Sequence, residues 1–151
     1  MGLMYAPHTV TIINATENEA TLEMQYQATV IHGVFLDIKH STLAAALGAT
    51  SADSAELFIP MDAAPVDAVS GSERIYAAPR DYHAADDKSA LWTLEAADSN
   101  SSAPCYFVKG EAQPMSLKEA KRQYEDVFVV TAVLVRDFGG VEMHHWQVEG
   151  R

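Results

Sequence analysis

The longest run of apolar positions lies near the C-terminal end of the chain. Residues 127–135 are β-branched, aromatic or small apart from one leucine, without Gly or Pro, and such a run predicts a strand. Residues 136–140 end in two glycines, and the apolar pattern resumes over residues 141–148 at the spacing of a β-hairpin. Because both faces of the first arm are apolar, we expect a central strand. The second arm alternates with polar residues and is expected nearer an edge or an interface.

Shorter strand-like and helix-like patterns precede this hairpin. The predicted strands are residues 9–13, 21–30, 31–38, 56–59, 74–77, 90–94 and 105–108. Gly33 interrupts the third run and indicates a bulge or a bend. Small residues at 43–47, stopped by Gly48, favour a short helix. A second helix is predicted over residues 117–125, where Ser116 and Glu119 have the spacing of a capping box.

These elements predict one mainly β domain over residues 1–151. Many short strands with few helices indicate a small β-barrel or sandwich of antiparallel strands, with one or two short helices and long loops. Irregular insertions are expected at about residues 61–81, which we interpret as a loop or a loosely held segment, and at about residues 95–103, which include a Ser-rich tract.

The charge balance is strongly acidic. Ten Lys and Arg face 21 Asp and Glu, for a net charge of −11. Because nucleic-acid binding needs clustered basic residues, sequence-specific binding of this kind is not expected. The acidic surface either keeps the protein soluble or prevents it from adhering to DNA that passes close by. No apolar stretch is long enough to cross a membrane and no leader is evident, so we expect a soluble protein of intracellular origin.

Few residues have the spacing of a chemical site. The single cysteine, Cys105, is expected to be a buried apolar residue. His32, His40 and His83 share no metal-ligand spacing, and no nucleophile or phosphate-binding motif is present. We therefore predict no catalytic, cofactor-binding or metal-ligating residues and no enzyme. His144 and Trp146 are better explained as partly buried strand residues or as a candidate interface.

The order of several short motifs resembles a known protein family. These are the first strand ending at Asn14, the segment from Thr29 to Val34, the tract Ala52-Asp53-Ser54 before Phe58-Ile59-Pro60, the strand Cys105 to Val108 followed by Lys109-Gly110, and His145-Trp146 before Gly150. Together they look like the small minor capsid or neck proteins of tailed bacteriophages, and the resemblance spans most of the chain.

The resemblance implies a structural role in the virion. Proteins of this kind are head completion or stopper proteins, which form a homo-oligomeric ring below the portal and adaptor proteins, close the DNA channel and receive the tail. They would be assembled in the host bacterial cytoplasm and lie in the virion neck, near packaged DNA and away from membranes. The alternatives are a tail terminator ring and a small-ligand-binding or enzymatic β-barrel.

The resemblance also implies loops directed into the channel or towards neighbouring subunits. The irregular segments 61–80 and 82–102 are the candidates. Five acidic residues in them are the candidate channel-facing or inter-subunit positions: Asp62, Asp67, Asp86, Asp87 and Asp98. Each is also compatible with an ordinary exposed loop residue.

Overall fold

The chain folds as an antiparallel sheet whose strands join into a ring. The computed structural model describes residues 6–45, 48–51, 53–97 and 104–151. Its strands are β1 (His8–Glu17), β2 (Met24–Lys39), β3 (Thr42–Ala45), β4 (Gly48–Ser51), β5 (Ser54–Pro60), β6 (Val66–Asp67), β7 (Ile75–Tyr76), β8 (Leu91–Trp92), β9 (Tyr106–Lys109), β10 (Val127–Arg136) and β11 (His145–Gly150). The helices are α1 (Pro79–Ala84), α2 (Leu117–Gln123) and a 3-10 turn at Val141–Met143. The prediction of a mainly β, antiparallel fold with short helices is confirmed.

Seven strands form the main sheet in the order β1-β9-β10-β11-β5-β2-β6, and an additional pairing of β1 with β2 closes six of them into a ring. The strand β6 continues along the same edge of β2 as β5, because residues 66–67 pair with residues 30–29 beyond the β5 register. Ring closure gives each of these six strands a neighbouring strand on both sides over part of its length.

The interior of the ring holds the main core. Every strand of the ring contributes inward side chains, and Trp92 and Leu94 from the long β5–β9 connection join them. The fully buried inward residues include Val10, Ile12, Ile31, Val34, Leu57, Ile59, Phe107, Val130 and Val148. A second cluster lies outside the ring, where Ala120 of α2 packs with Ile13, Tyr106 and Val108.

Two bulges explain the apolar patterns of β2 and β10. At Gly33, whose φ is +74°, the register with β1 shifts, so Ile31 and Val34 both face inward. The predicted irregularity at Gly33 is thus confirmed. In β10 the register shifts between Val130 and Ala132, so the inward set changes from Phe128 and Val130 to Val133. Both faces of this strand read as apolar because the inward face changes partway along it.

The C-terminal hairpin is confirmed, with two corrections. The strand β10 is central, as predicted. The second arm begins only at His145, because residues 141–143 form the 3-10 turn. That arm does not lie at an edge: β11 is paired with β10 on one side and with β5 on the other.

One predicted helix is correct and the other is wrong. Helix α2 begins after Ser116, whose side chain accepts a hydrogen bond from the amide of Glu119 at 3.3 Å. Residues 43–45 belong instead to β3, which pairs with β4 as a separate hairpin, and residues 46 and 47 lie outside the described ranges. Pairing with β4 satisfies backbone groups that a helix of one or two turns would leave unpaired.

Within the described ranges, no helix has both the length and the apolar character needed to span a membrane.

Candidate channel-facing and interface surfaces

Asp67, the acidic residue at the end of β6, is tied into the fold. Its carboxylate accepts a hydrogen bond from the Arg74 guanidinium at 2.7 Å and from the amides of Val69 and Ser70. Arg74 is buried and also donates to Thr29 and to the carbonyl of Leu91. Desolvation alone would raise the pKa of Asp67, but the Arg74 guanidinium and the two amides hold it below its usual value. This carboxylate therefore stabilises the β6–β7 region.

The long connection between β5 and β9 is anchored to the ring at several points. Asn14 on β1 donates to the carbonyl of Thr93 at 2.9 Å and accepts from its amide at 3.3 Å. The Tyr82 hydroxyl on α1 donates to Gln27 at 2.9 Å. The amide of Ala97 donates to the carbonyl of Val130. The connection is thus hydrogen-bonded to the ring at Tyr82, Thr93 and Ala97.

Asp62, Asp86 and Asp87 lie on the exposed surface of this connection. Asp87 accepts a hydrogen bond from the Ser89 amide at 2.9 Å, and its hydrogen bonds to Ser89 lower its pKa. Asp86 and Asp87 line a polar cleft of about 350 Å³ together with Glu17 at the end of β1. Asp62 lies in the turn after β5, next to the backbone contact between Met61 and His144. Asp98 lies outside the described residues.

Trp146 belongs to an aromatic cluster at the rim of the core. Its ring lies 4.6 Å from that of Tyr76 and 5.5 Å from that of Trp92, centroid to centroid. The side chain is partly buried and packs against the main core. It holds the β7–β8 pair against β11, so its first role is internal. His144, also partly buried, accepts a backbone hydrogen bond from Met61 at 3.0 Å.

Four of the seven large apolar residues that are exposed in the described part of the chain lie at a place that sequence reasoning missed. The β10–β11 hairpin tip carries Val135, Phe138, Val141 and Met143, whose exposed fractions are 53%, 67%, 79% and 60%. The sequence showed their apolar character, but it assigned Val141 and Met143 to a regular strand with a buried face. The 3-10 turn places them on the surface instead. We call these four residues the apolar tip; they lie at the turn between β10 and β11, and β11 is paired with β10 on one side and with β5 on the other.

The histidines contact different partners on different elements. His32 contacts Thr9 and lies 3.7 Å from Glu111, and His83 lies 2.7 Å from Glu95. In the described ranges no three His, Cys, Asp or Glu side chains gather as a group that could hold a metal ion. Burial raises the pKa of the Cys105 thiol to about 12, which keeps it protonated and unreactive at neutral pH.

The chain belongs to DUF6751, a family of unknown function that matches residues 5–151. Neither the curated proteins nor the solved structures gave a match.

Proposed function

We propose that the chain is a structural virion protein of a tailed bacteriophage. In this role it is a subunit of the head completion or stopper ring, which closes the DNA channel below the portal and adaptor proteins and docks the tail. The proposal rests on the motif order from Asn14 to Gly150, and it is supported by the small antiparallel ring with a long anchored connection.

The structural observation that supports the proposal most directly is the apolar tip. Val141 and Phe138 expose 79% and 67% of their surface on a hairpin whose second strand, β11, is paired with β10 on one side and with β5 on the other. Exposed apolar side chains that a rigid scaffold holds together are typical of a protein contact, because burying them in a partner releases water. A ring subunit in a virion neck needs such contacts with the ring above or below it.

The charge distribution is consistent with a position beside DNA. The net charge of −11 disfavours binding to phosphates, and Asp62, Asp86 and Asp87 are exposed on the anchored β5–β9 connection. In a ring, acidic residues repeated around an axis would repel the DNA backbone and let it pass without being held. Asp67 contributes less to such a field, because Arg74 neutralises it.

The test is a cryo-electron microscopy reconstruction of the neck of the source phage particles. We expect symmetric copies of this ring-shaped domain around an axial channel directly below the adaptor. A ring found at the distal end, between the neck and the tail tube, would make the chain a tail terminator. Intact particles that lack the chain would refute the virion role.

A pair of variants tests the apolar tip in the same particles. Val141→Asp places a charge where a partner would bury an apolar group, and we expect it to lower incorporation into particles by at least about tenfold. Because Val141 is exposed in the free protein, the thermal midpoint should be unchanged. Leu22→Asp is the matched control, since Leu22 is 72% exposed at a distant turn. Equal incorporation of both variants would remove the tip from the docking surface.

A further inference from the structure

A row of carboxylates crosses three neighbouring strands on the outside of the ring. Asp37 on β2 pairs with Glu56 on β5, and Glu56 pairs with Glu149 on β11. Residues paired in this way point to the same face, and this face is the outer one, because Leu36, Leu57 and Val148 beside them point into the core. In the described part of the chain none of the three carboxylates lies within ion-pair distance of a basic side chain.

Such a row lowers the stability of an isolated subunit. Like charges directly opposite one another on neighbouring strands repel, and two such pairs share Glu56. The nearest basic residue along the sheet is Lys39, two positions after Asp37 on β2 and therefore on the same face. A basic partner would convert the repulsion into attraction.

An aromatic row runs beside the carboxylates on the same face. Phe35 pairs with Phe58, their ring centroids are 5.9 Å apart, and both side chains are half-buried. In the same cross-strand row, Phe58 pairs with Gln147 on β11, and Gln147 pairs with Leu134 on β10. Aromatic faces next to carboxylates suit Lys and Arg, whose stems pack on apolar surface while their charged ends meet the acids.

The chain itself carries a matching basic surface. Lys118, Lys121 and Arg122 are exposed on α2, and the buried stripe of that helix faces the ring through Ala120. They are three of the ten Lys and Arg residues of the chain, gathered within five positions. Glu119 lies among them, and the net charge of the group remains positive.

The two surfaces lie on opposite sides of the ring. Helix α2 belongs to a buried cluster with residues of β1 and β9 and with the first residues of β2 and β10, whereas the carboxylate row lies on β11, β5 and the end of β2. In the order β1-β9-β10-β11-β5-β2, β9 is three strands from β5 in either direction, and so is β1 from β11. Complementary surfaces on opposite sides of one subunit produce head-to-tail contacts, which close into a ring when the rotation between copies allows it.

We propose that the carboxylate and aromatic rows of one copy bind the basic face of α2 of the next copy. This rests on the proposed ring function and names the subunit interface within it. The contact uses ion pairs at a half-exposed face, so it is weak for two copies alone and gains strength when the ring closes.

Directional cross-linking tests the contact. Glu56→Cys and Lys121→Cys are made separately in the full chain, and Cys105, 5% exposed, serves as an internal control because the wild type should not cross-link. Under mild oxidation at high protein concentration, the mixture of the two variants is expected to form a disulfide dimer that neither variant forms alone. Disulfide dimers in a sample of either single variant would overturn the proposal. The absence of dimers both in the mixture and in assembled particles would overturn it as well.

Charge reversal provides the second readout. Glu56→Lys and Lys121→Glu should each weaken assembly at least about tenfold, because each places like charges in contact. The variant that carries both reversals should recover assembly, whereas Glu23→Lys, an equal charge change at an exposed position outside both surfaces, should have no effect. If both single-reversal variants still form rings in particles, this interface is refuted, whereas the virion role stands. Particles without the chain would refute the virion role, and cross-linking in solution would then decide the contact alone.

Discussion

Gly150, near the end of β11, lies where a side chain has no room. A Cβ atom there would come 2.8 Å from the Phe107 ring and 2.9 Å from Cβ of Phe128. We expect Gly150→Ala to lower the free energy of unfolding by about 1–3 kcal/mol, because the core must shift to accept it. Gly140→Ala is the control, since its Cβ meets only the flexible carboxylate of Glu142. Chemical denaturation measures both, and equal stability of the two variants would contradict the packing argument.

His40, at the end of β2, connects two segments that are distant in sequence. Its Nδ1 lies 3.1 Å from Asp53 and its Nε2 lies 3.7 Å from Asp126 before β10. The hydrogen bond to Asp53 raises the pKa of His40 against an opposing effect of desolvation, and the charges of Asp53, Asp126 and Glu125 add to the increase. Only the protonated ring donates from both nitrogens.

The sign of the pH effect follows from this raised pKa. The stabilisation by His40 is fully present below its ordinary pKa and is lost as the pH rises through the raised value. We expect Asp53→Asn to lower the His40 pKa in an NMR titration, whereas Asp86→Asn should leave it in place. An unchanged titration of His40 in the Asp53 variant would show that the contact does not form in solution.

At the scale of elements, Asn14 is the main polar link between β1 and the β8 region. Its amide both donates to and accepts from the backbone of buried Thr93. Asn14→Ala leaves these groups without partners, and we expect a loss of about 1–3 kcal/mol for each. Hydrogen exchange of residues 91–94 should accelerate selectively. Thr131→Val, which removes one exposed hydrogen bond to Glu149, should change neither measurement.

The sequence predicts individual strands and helix caps better than it predicts which elements pair or pack with them. The runs at β5, β9 and β10 and the cap at Ser116 carry their signal in neighbouring residues, and the structure confirms them. The alanines at 44 and 45 favour a helix by propensity, but pairing with β4 prevails, because one short helical turn has little stability of its own.

The candidate site depends on relations that no single segment contains. Asp67 looks like any loop acid until the fold brings Arg74 to it, seven residues away across a turn. The carboxylate row needs three strands in register, and its members lie at positions 37, 56 and 149. Such groupings depend on the fold of the whole chain.

At the scale of the whole molecule, we expect the ring and the described part of the β5–β9 connection to unfold together. Trp92 of the connection and Trp146 of β11 share one aromatic cluster, so tryptophan fluorescence reports the junction between the two parts. Far-UV circular dichroism reports the sheet. The two transitions in denaturant should coincide, as in a two-state protein. Fluorescence that changes at lower denaturant would mean that the connection detaches first.

The pairing of β1 with β9 also constrains the order in which the strands can pair during synthesis of the chain. The Thr11 side chain binds the carbonyl of Gly110 across 99 positions of the chain. The β1–β2 hairpin can form as soon as both strands have left the ribosome. The other edge of β1, however, has no partner strand until β9 has been synthesised. Since long-range pairing slows folding, the nascent chain spends that interval with an open strand edge exposed to association with other chains. Synthesis at lower temperature or with chaperones should therefore raise the soluble yield, whereas stabilising α2 alone should not.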